Sequence, residues 1–227
     1  MRQSGSISAD MAARPSRSRS PPSCSNIFPR AVPEASAAHG LIVLAAGDSS
    51  RLGEPKQLLR HRGETLIHRA ARLGLATAPA DALIVLGAHA DAMLANVQDL
   101  PIRAVDSEDW PLGLSHSLRA GVAALSPECA GALILLCDQI ALDAEHLAAL
   151  IDAWRSDPRR AAASCYAGHL GVPALLPRAW FDDLQRLEGD RGAGALLAQR
   201  SGEVIAIDKA ALAIDIDRAV DLHWLET

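Results

Sequence analysis

Three apolar runs without polar alternation constrain this chain most: Leu41-Ile42-Val43-Leu44-Ala45-Ala46, Ala82-Leu83-Ile84-Val85-Leu86 and Leu133-Ile134-Leu135-Leu136-Cys137. A strand reads this way when both of its faces are covered. A fourth strand, less apolar, is predicted over residues 102–105. Helical spacing falls between these runs. Over residues 64–75, Leu66, Ile67, Ala70, Ala71 and Leu73 share one face, with Arg69 and Arg72 expected to face out. Further helices are predicted over residues 91–97, 115–125 and 143–154. Strands that alternate with helices imply a parallel sheet covered on both sides, a doubly wound α/β fold. Beyond Pro158 the pattern changes. Strands are predicted over 161–165 and 172–176 around Ala167-Gly168, helices over 178–187 and 192–199, strands over 204–207 and 212–216, and a final helix from Arg218. This second half should extend the sheet and cover the mouth of a site.

Composition narrows the function classes. Apolar residues make up 49% of the 227 and aromatics 3%, so the core must be built of Ala, Leu, Ile and Val. No apolar run reaches the roughly 18–20 residues of a membrane span, so no membrane is implied. A formal net charge of -5 argues against a general nucleic-acid binder. Residues 1–38 differ from the rest. They are rich in Arg, Ser, Pro and Ala, cannot build a core, and are expected to be a disordered extension or an over-extended start. They lack the apolar stretch of a secretory signal. Residues 39–227 are expected to form one domain. The four cysteines form no C-x-x-C pair, which fits a reduced, cytoplasmic setting.

Ligands of open α/β sheets sit at the carboxyl ends of the strands, and several polar segments fall there. After the first strand comes Leu44-Ala45-Ala46-Gly47-Asp48-Ser49-Ser50-Arg51-Leu52-Gly53-Glu54-Pro55-Lys56. Small residues with free N–H groups suit phosphate oxygens, and Arg51 and Lys56 add two cations. Neither the dinucleotide G-x-G-x-x-G nor the P-loop pattern is present. Gly87 ends the second strand. Asp138, leaving the 133–137 strand, is either a hard oxygen ligand for Mg²⁺ or a helix cap. Asp215 and Asp217, two apart on a predicted strand, share a face about 6.5 Å apart. One of them could join Asp138 on a metal, or Asp217 could cap the last helix. Gly113, Ser115 and Ser117 open a helix whose N-terminus suits an anion or a base edge. His169 lies beside the expected pocket wall. Trp110 reads as packing.

Together these segments resemble one family. From about residue 40 to 225 the chain is similar to the molybdenum cofactor guanylyl- and cytidylyltransferases, and within them to the cytidylyltransferase (MocA-like) branch. The L-A-A-G-x-S-x-R-x-G-x-x-K string, the Gly113–Gly121 segment, Cys137-Asp138-Gln139, Gly168–Leu176, Gly189-Asp190-Arg191-Gly192-Ala193 and Asp215-Ile216-Asp217 carry the likeness. The resemblance implies a Rossmann-like, mostly parallel sheet of the nucleotide-diphospho-sugar transferase type. It implies transfer of CMP from Mg-CTP to the phosphate of molybdenum-bearing molybdopterin, with release of pyrophosphate. A molybdenum hydroxylase or its insertion chaperone would then be a partner. In this reading Leu44, Ala45, Ala46, Gly47, Ser49, Arg51, Lys56, Gly87, Gly113 and Ser117 bind nucleotide. Arg51, Lys56 and Asp138 are catalytic, and Asp138 and Asp217 hold Mg²⁺. Gly189, Asp190, Arg191, Gly192 and His169 bind the acceptor. Two positions depart from the family pattern: Ile140 where Pro is usual, and Gly194 where the acceptor loop ends in Arg. Guanylyl transfer, transfer to a sugar or polyol phosphate, and a nucleotide-binding regulator without turnover are the competing readings.

Overall fold

The computed structural model describes residues 37–49, 52–216 and 219–226. Among the described residues, nine strands and six α-helices follow one another in the order β1 (His39–Leu44), β2 (Arg60–His61), β3 (Glu64–Thr65), α1 (Leu66–Leu75), β4 (Asp81–Leu86), α2 (Ala90–Ala95), β5 (Arg103–Asp106), α3 (Leu114–Ala124), β6 (Gly131–Leu136), α4 (Ala144–Ser156), β7 (Ala161–Tyr166), β8 (His169–Pro177), α5 (Phe181–Leu184), α6 (Ala193–Gln199) and β9 (Val204–Asp208). Seven strands form one sheet in the order β5-β4-β1-β6-β8-β7-β9. Only β8 runs against the rest: β1 is parallel to β4 and β6, whereas β8 is antiparallel to β6 and β7. The mostly parallel α/β sheet expected from the apolar runs is therefore observed.

Burial on both faces explains why those runs do not alternate. Along β1, Leu41 and Val43 join α1 and α4 in one core layer, with Trp154 fully buried there. Ile42 and Leu44 join α3, α5 and α6 in the other, with Trp180. Each such large side chain removed from water contributes about 1.5–3 kcal/mol. Because β1 and β6 sit mid-sheet, their carboxyl ends open onto a common edge, where Ala45-Ala46-Gly47 and Cys137-Asp138 emerge side by side.

Four local expectations are corrected. The helix expected from residue 64 begins at Leu66, because Glu64–Thr65 pairs with Arg60–His61 across the positive-φ turn Arg62-Gly63. Arg69 does not face out: its guanidinium crosses to α4's side and donates to the Leu142 carbonyl. No strand forms over 212–216. Leu212 and Ile216 are buried at 0% while Ala211, Ala213 and Asp215 are exposed, so the alternation is real, but the chain is a 3-10 turn and an irregular segment. It is drawn off the sheet's edge by Lys209, which bonds Asp143 at the start of α4. The last described stretch, Ala219–Glu226, is 3-10 rather than α-helical.

Candidate active site

A cleft of about 430 Å³ opens at the carboxyl edge of the sheet, lined among others by Ala46, Gly47, Lys56, Trp110, Cys137 and Asp190. Three backbone segments build it. The first is the loop after β1. Ala45 N donates to Val85 O at 2.9 Å, which holds the loop to the sheet for one residue past the strand. Ser49 then turns into the left-handed region (φ 56). Its hydroxyl accepts from the Lys56 backbone N–H at 3.0 Å and donates to Gln57 Oε1 at 3.2 Å. Gln57, only 3% exposed, donates from Nε2 to Ala45 O at 3.2 Å and to Gly47 O at 2.7 Å. One buried amide thus braces the whole loop from behind. Among the described residues, nothing lies within 4 Å of the position a Cβ on Gly47 would take.

The second segment is the start of α3. Gly113, at φ +115, turns the chain into the helix. A Cβ there would lie 2.4 Å from the Gly189 carbonyl carbon. The loop of residues 189–190 docks on this turn, and Ser115 N donates to Gly189 O at 3.0 Å. That contact brings Asp190 to the cleft wall opposite Gly47. Trp110 covers Gly87, where a Cβ would stand 2.6 Å from its ring.

The third is the end of β6. Asp138 is 7% exposed, and its Oδ2 accepts from Lys56 Nζ at 2.5 Å. Its other oxygen, Oδ1, is buried with no hydrogen-bond partner. Gln139 donates to Val172 O at 2.8 Å and to the Tyr166 hydroxyl at 3.3 Å, and forms an antiparallel bridge with Asp215. Burial, with Asp215 next in weight, raises the Tyr166 phenol above its ordinary pKa. Burial, with Asp138 adding, does the same to the Cys137 thiol, which stays protonated and packs as an apolar group. Among the described residues no group of three His, Cys, Asp or Glu side chains gathers as a metal cluster. No helix among them is long and apolar enough to cross a membrane.

The cleft gathers Leu44, Ala46, Gly47, Lys56, Gly113 and Ser117 of the residues expected at a nucleotide, and places Cys137 beside Asp138. Three others stand behind it. Ala45 is 2% exposed, Ser49 spends its hydroxyl inside the loop, and Gly87 lies under Trp110. Asp190, expected at the acceptor, lines this same cleft. Gly192 ends against Leu114, Arg191 is exposed, and His169 is exposed, bonded to Ala167 O and edge-on to Tyr166, rather than on the cleft wall. Arg51 and Asp217 lie outside the described residues. Sequence reasoning missed Gln57, whose only local sign is its place after Pro55-Lys56. It also missed the Gly113–Gly189 contact, which no local pattern could give.

Comparison with known proteins agrees with this fold. Residues 41–204 match the family described as MobA-like NTP transferase domain. Nicotine blue oxidoreductase of Paenarthrobacter nicotinovorans is 35% identical over 177 residues, covering 74% of this chain and 85% of that protein. Purine catabolism protein PucB of Bacillus subtilis (strain 168) is 31% identical over 173 residues, covering 72% and 81%. Among solved structures, Rv0371c from Mycobacterium tuberculosis H37Rv has a TM-score of 0.71 at 28% identity, covering 85% of this chain and 100% of that one. The same protein has also been solved in complex with manganese.

Proposed function

Because the chain belongs to the MobA-like NTP transferase family and is a nucleotidyltransferase, we propose that it transfers CMP from Mg-CTP to the phosphate of a molybdopterin-type acceptor. The observation that carries this reading is the meeting of the Gly47 loop, the Lys56–Asp138 pair and the N-terminus of α3 at one cleft. An acceptor phosphate oxygen attacks the α-phosphorus. A new P–O bond forms there, the bond to the bridging oxygen of the β-phosphate breaks, and pyrophosphate leaves with that electron pair. Such a transfer asks the protein for position and charge neutralisation, not a nucleophile. The Gly47 loop would lie against the triphosphate, with no described side chain crowding a Cβ position on Gly47. Lys56 and Arg51 offset the charge that grows on pyrophosphate. The N–H groups opening α3 add positive potential at the same cleft.

The residues suit a divalent cation. The buried Oδ1 of Asp138 has no protein partner, and a hard carboxylate oxygen is the donor that Mg²⁺ or Mn²⁺ takes. Asp138 would hold it with Asp217, and when bound it would polarise the α-phosphate. Asp190 and the loop through Gly192 face the acceptor side. Gly194 leaves that loop without the family's Arg, and the exposed Arg191 is the nearest cation in sequence.

The test is thermal unfolding with CTP, GTP, ATP and UTP, each with and without Mg²⁺. A ligand at about 100 times its Kd adds about 2.7 kcal/mol, about 5–10 °C for this size. Selective stabilisation by Mg-CTP, then CTP-dependent pyrophosphate release with the pterin acceptor, supports the reading. Preference for GTP moves the base and keeps the chemistry. Asp138→Ala should abolish transfer in a folded protein, and near-normal turnover would remove Asp138 from the metal role. The 35%-identical relative is named nicotine blue oxidoreductase, which favours a second reading, oxidoreductase activity on a dye of that kind. Dye-dependent oxidation of NAD(P)H in the absence of nucleoside triphosphate would select it.

A further inference from the structure

Asp138 presents two different oxygens: Oδ2 is bonded to Lys56 Nζ at 2.5 Å, and Oδ1 is buried and unpartnered. Both side chains of the pair are mostly covered, at 22% and 10% exposure. Resting on the proposed roles of these residues, the chemistry asks more of them than this arrangement grants at once. Asp138 must accept a divalent cation while Lys56 must face a triphosphate. An ammonium bonded to the carboxylate competes directly with a metal for that carboxylate's charge.

We propose that Lys56 determines which form of nucleotide the site accepts. It serves as an internal counter-ion to Asp138 and leaves only when phosphate oxygens replace the carboxylate, so the cation enters as the metal–nucleotide complex and not alone. A lone metal ion on Asp138 would displace a part-buried ammonium from that carboxylate, which is costly in a partly dry cleft. A metal–triphosphate complex avoids that cost, because the ammonium exchanges one anion for another. Linkage then requires metal and nucleotide each to raise the other's affinity by the same factor, and Lys56 is the group through which that factor arises. The geometry supports the short path this needs: the Lys56 backbone is pinned by Ser49, and its side chain lines the same cleft as Gly47.

Two variants should therefore each gain an affinity that loss of a binding residue would not ordinarily give. Mn²⁺ binding without nucleotide is read by electron paramagnetic resonance of the free ion. Metal-free CTP binding is read by calorimetry in a chelator. Lys56→Met should bind Mn²⁺ alone about tenfold more tightly than the natural protein while losing CTP affinity. Lys56→Arg, which keeps the charge, should show no such gain. Asp138→Asn should bind metal-free CTP about threefold more tightly, and Mg²⁺ should add nothing. Equal or weaker Mn²⁺ binding by a folded Lys56→Met protein overturns the exchange and leaves the proposed function standing. Equal Mn²⁺ binding by Asp138→Asn and the natural protein in the presence of saturating CTP overturns the metal role of Asp138 itself, and the exchange with it.

Discussion

Gln57 makes three hydrogen bonds from a position 3% exposed: to Ala45 O, to Gly47 O and from Ser49 Oγ. Replacing it by Met keeps nearly the same length and volume and removes all three. A net hydrogen bond contributes about 0.5–1.5 kcal/mol, which gives about 1.5–4.5 kcal/mol in total. Gly47 is exposed, so water can recover its carbonyl bond, whereas Ala45 is 2% exposed and its carbonyl cannot be so rescued. The expected loss is then about 2–3 kcal/mol, or roughly 4–10 °C for a chain of this size. Urea unfolding would measure the stability, and calorimetry with Mg-CTP the binding. The nucleotide affinity should fall further than the stability alone explains, because the folded variant no longer holds the loop's backbone in one place. A midpoint within experimental error of the natural protein, with unchanged affinity, would refute the idea that this amide braces the loop.

Other perturbations test other parts of the frame. Gly113→Ala forces a side chain into φ +115 and 2.4 Å from the Gly189 carbonyl carbon. It should cost about 2–3 kcal/mol and raise KM for nucleotide by spreading the two loops, read by urea unfolding and steady-state kinetics. His39, bonded to Thr77 Oγ1 at the foot of β1, has its pKa lowered to about 4 by burial and then by Arg155. The unfolded chain therefore takes up this proton near pH 6.5 and the folded one only near 4, so the stability is full above 6.5 and is lost as pH falls through that window. Linkage sets an upper bound of about 3 kcal/mol, and solvent screening reduces it to about 1–2. Urea titrations at pH 7 and pH 5 should show the loss in the natural protein and a smaller one in His39→Gln.

The sheet was legible because its central strands are apolar on both faces: Ile42 and Val43, which point to opposite sides, are both fully buried. The loop after β1 was legible because its chemistry is local: small residues, then Lys56. Arg69 was misjudged because helical spacing assigns a face but not a reach, and a long guanidinium can find the Leu142 carbonyl. The alternation of residues 212–216 signalled burial truly and strand falsely, since what decides a strand is a partner, and this segment leaves the edge strand β9 toward α4, where Lys209 bonds Asp143. Gln57 stayed hidden for the opposite reason: its partners are backbone carbonyls, which no side-chain pattern reveals.

The bridge from Gln139 to Asp215 has a further consequence, for the order of synthesis. By Asp208 all seven strands of the sheet have been made, yet the segment that carries Asp215 against Gln139 has not. That segment is tied back at its far end too, where the His61 ring meets Leu225 O at 3.3 Å. The corner around the proposed site is thus assembled after the sheet it stands on, and a cut between the two would remove that segment while leaving every strand in place. Loss of activity by clipping would come before, and separately from, loss of the fold.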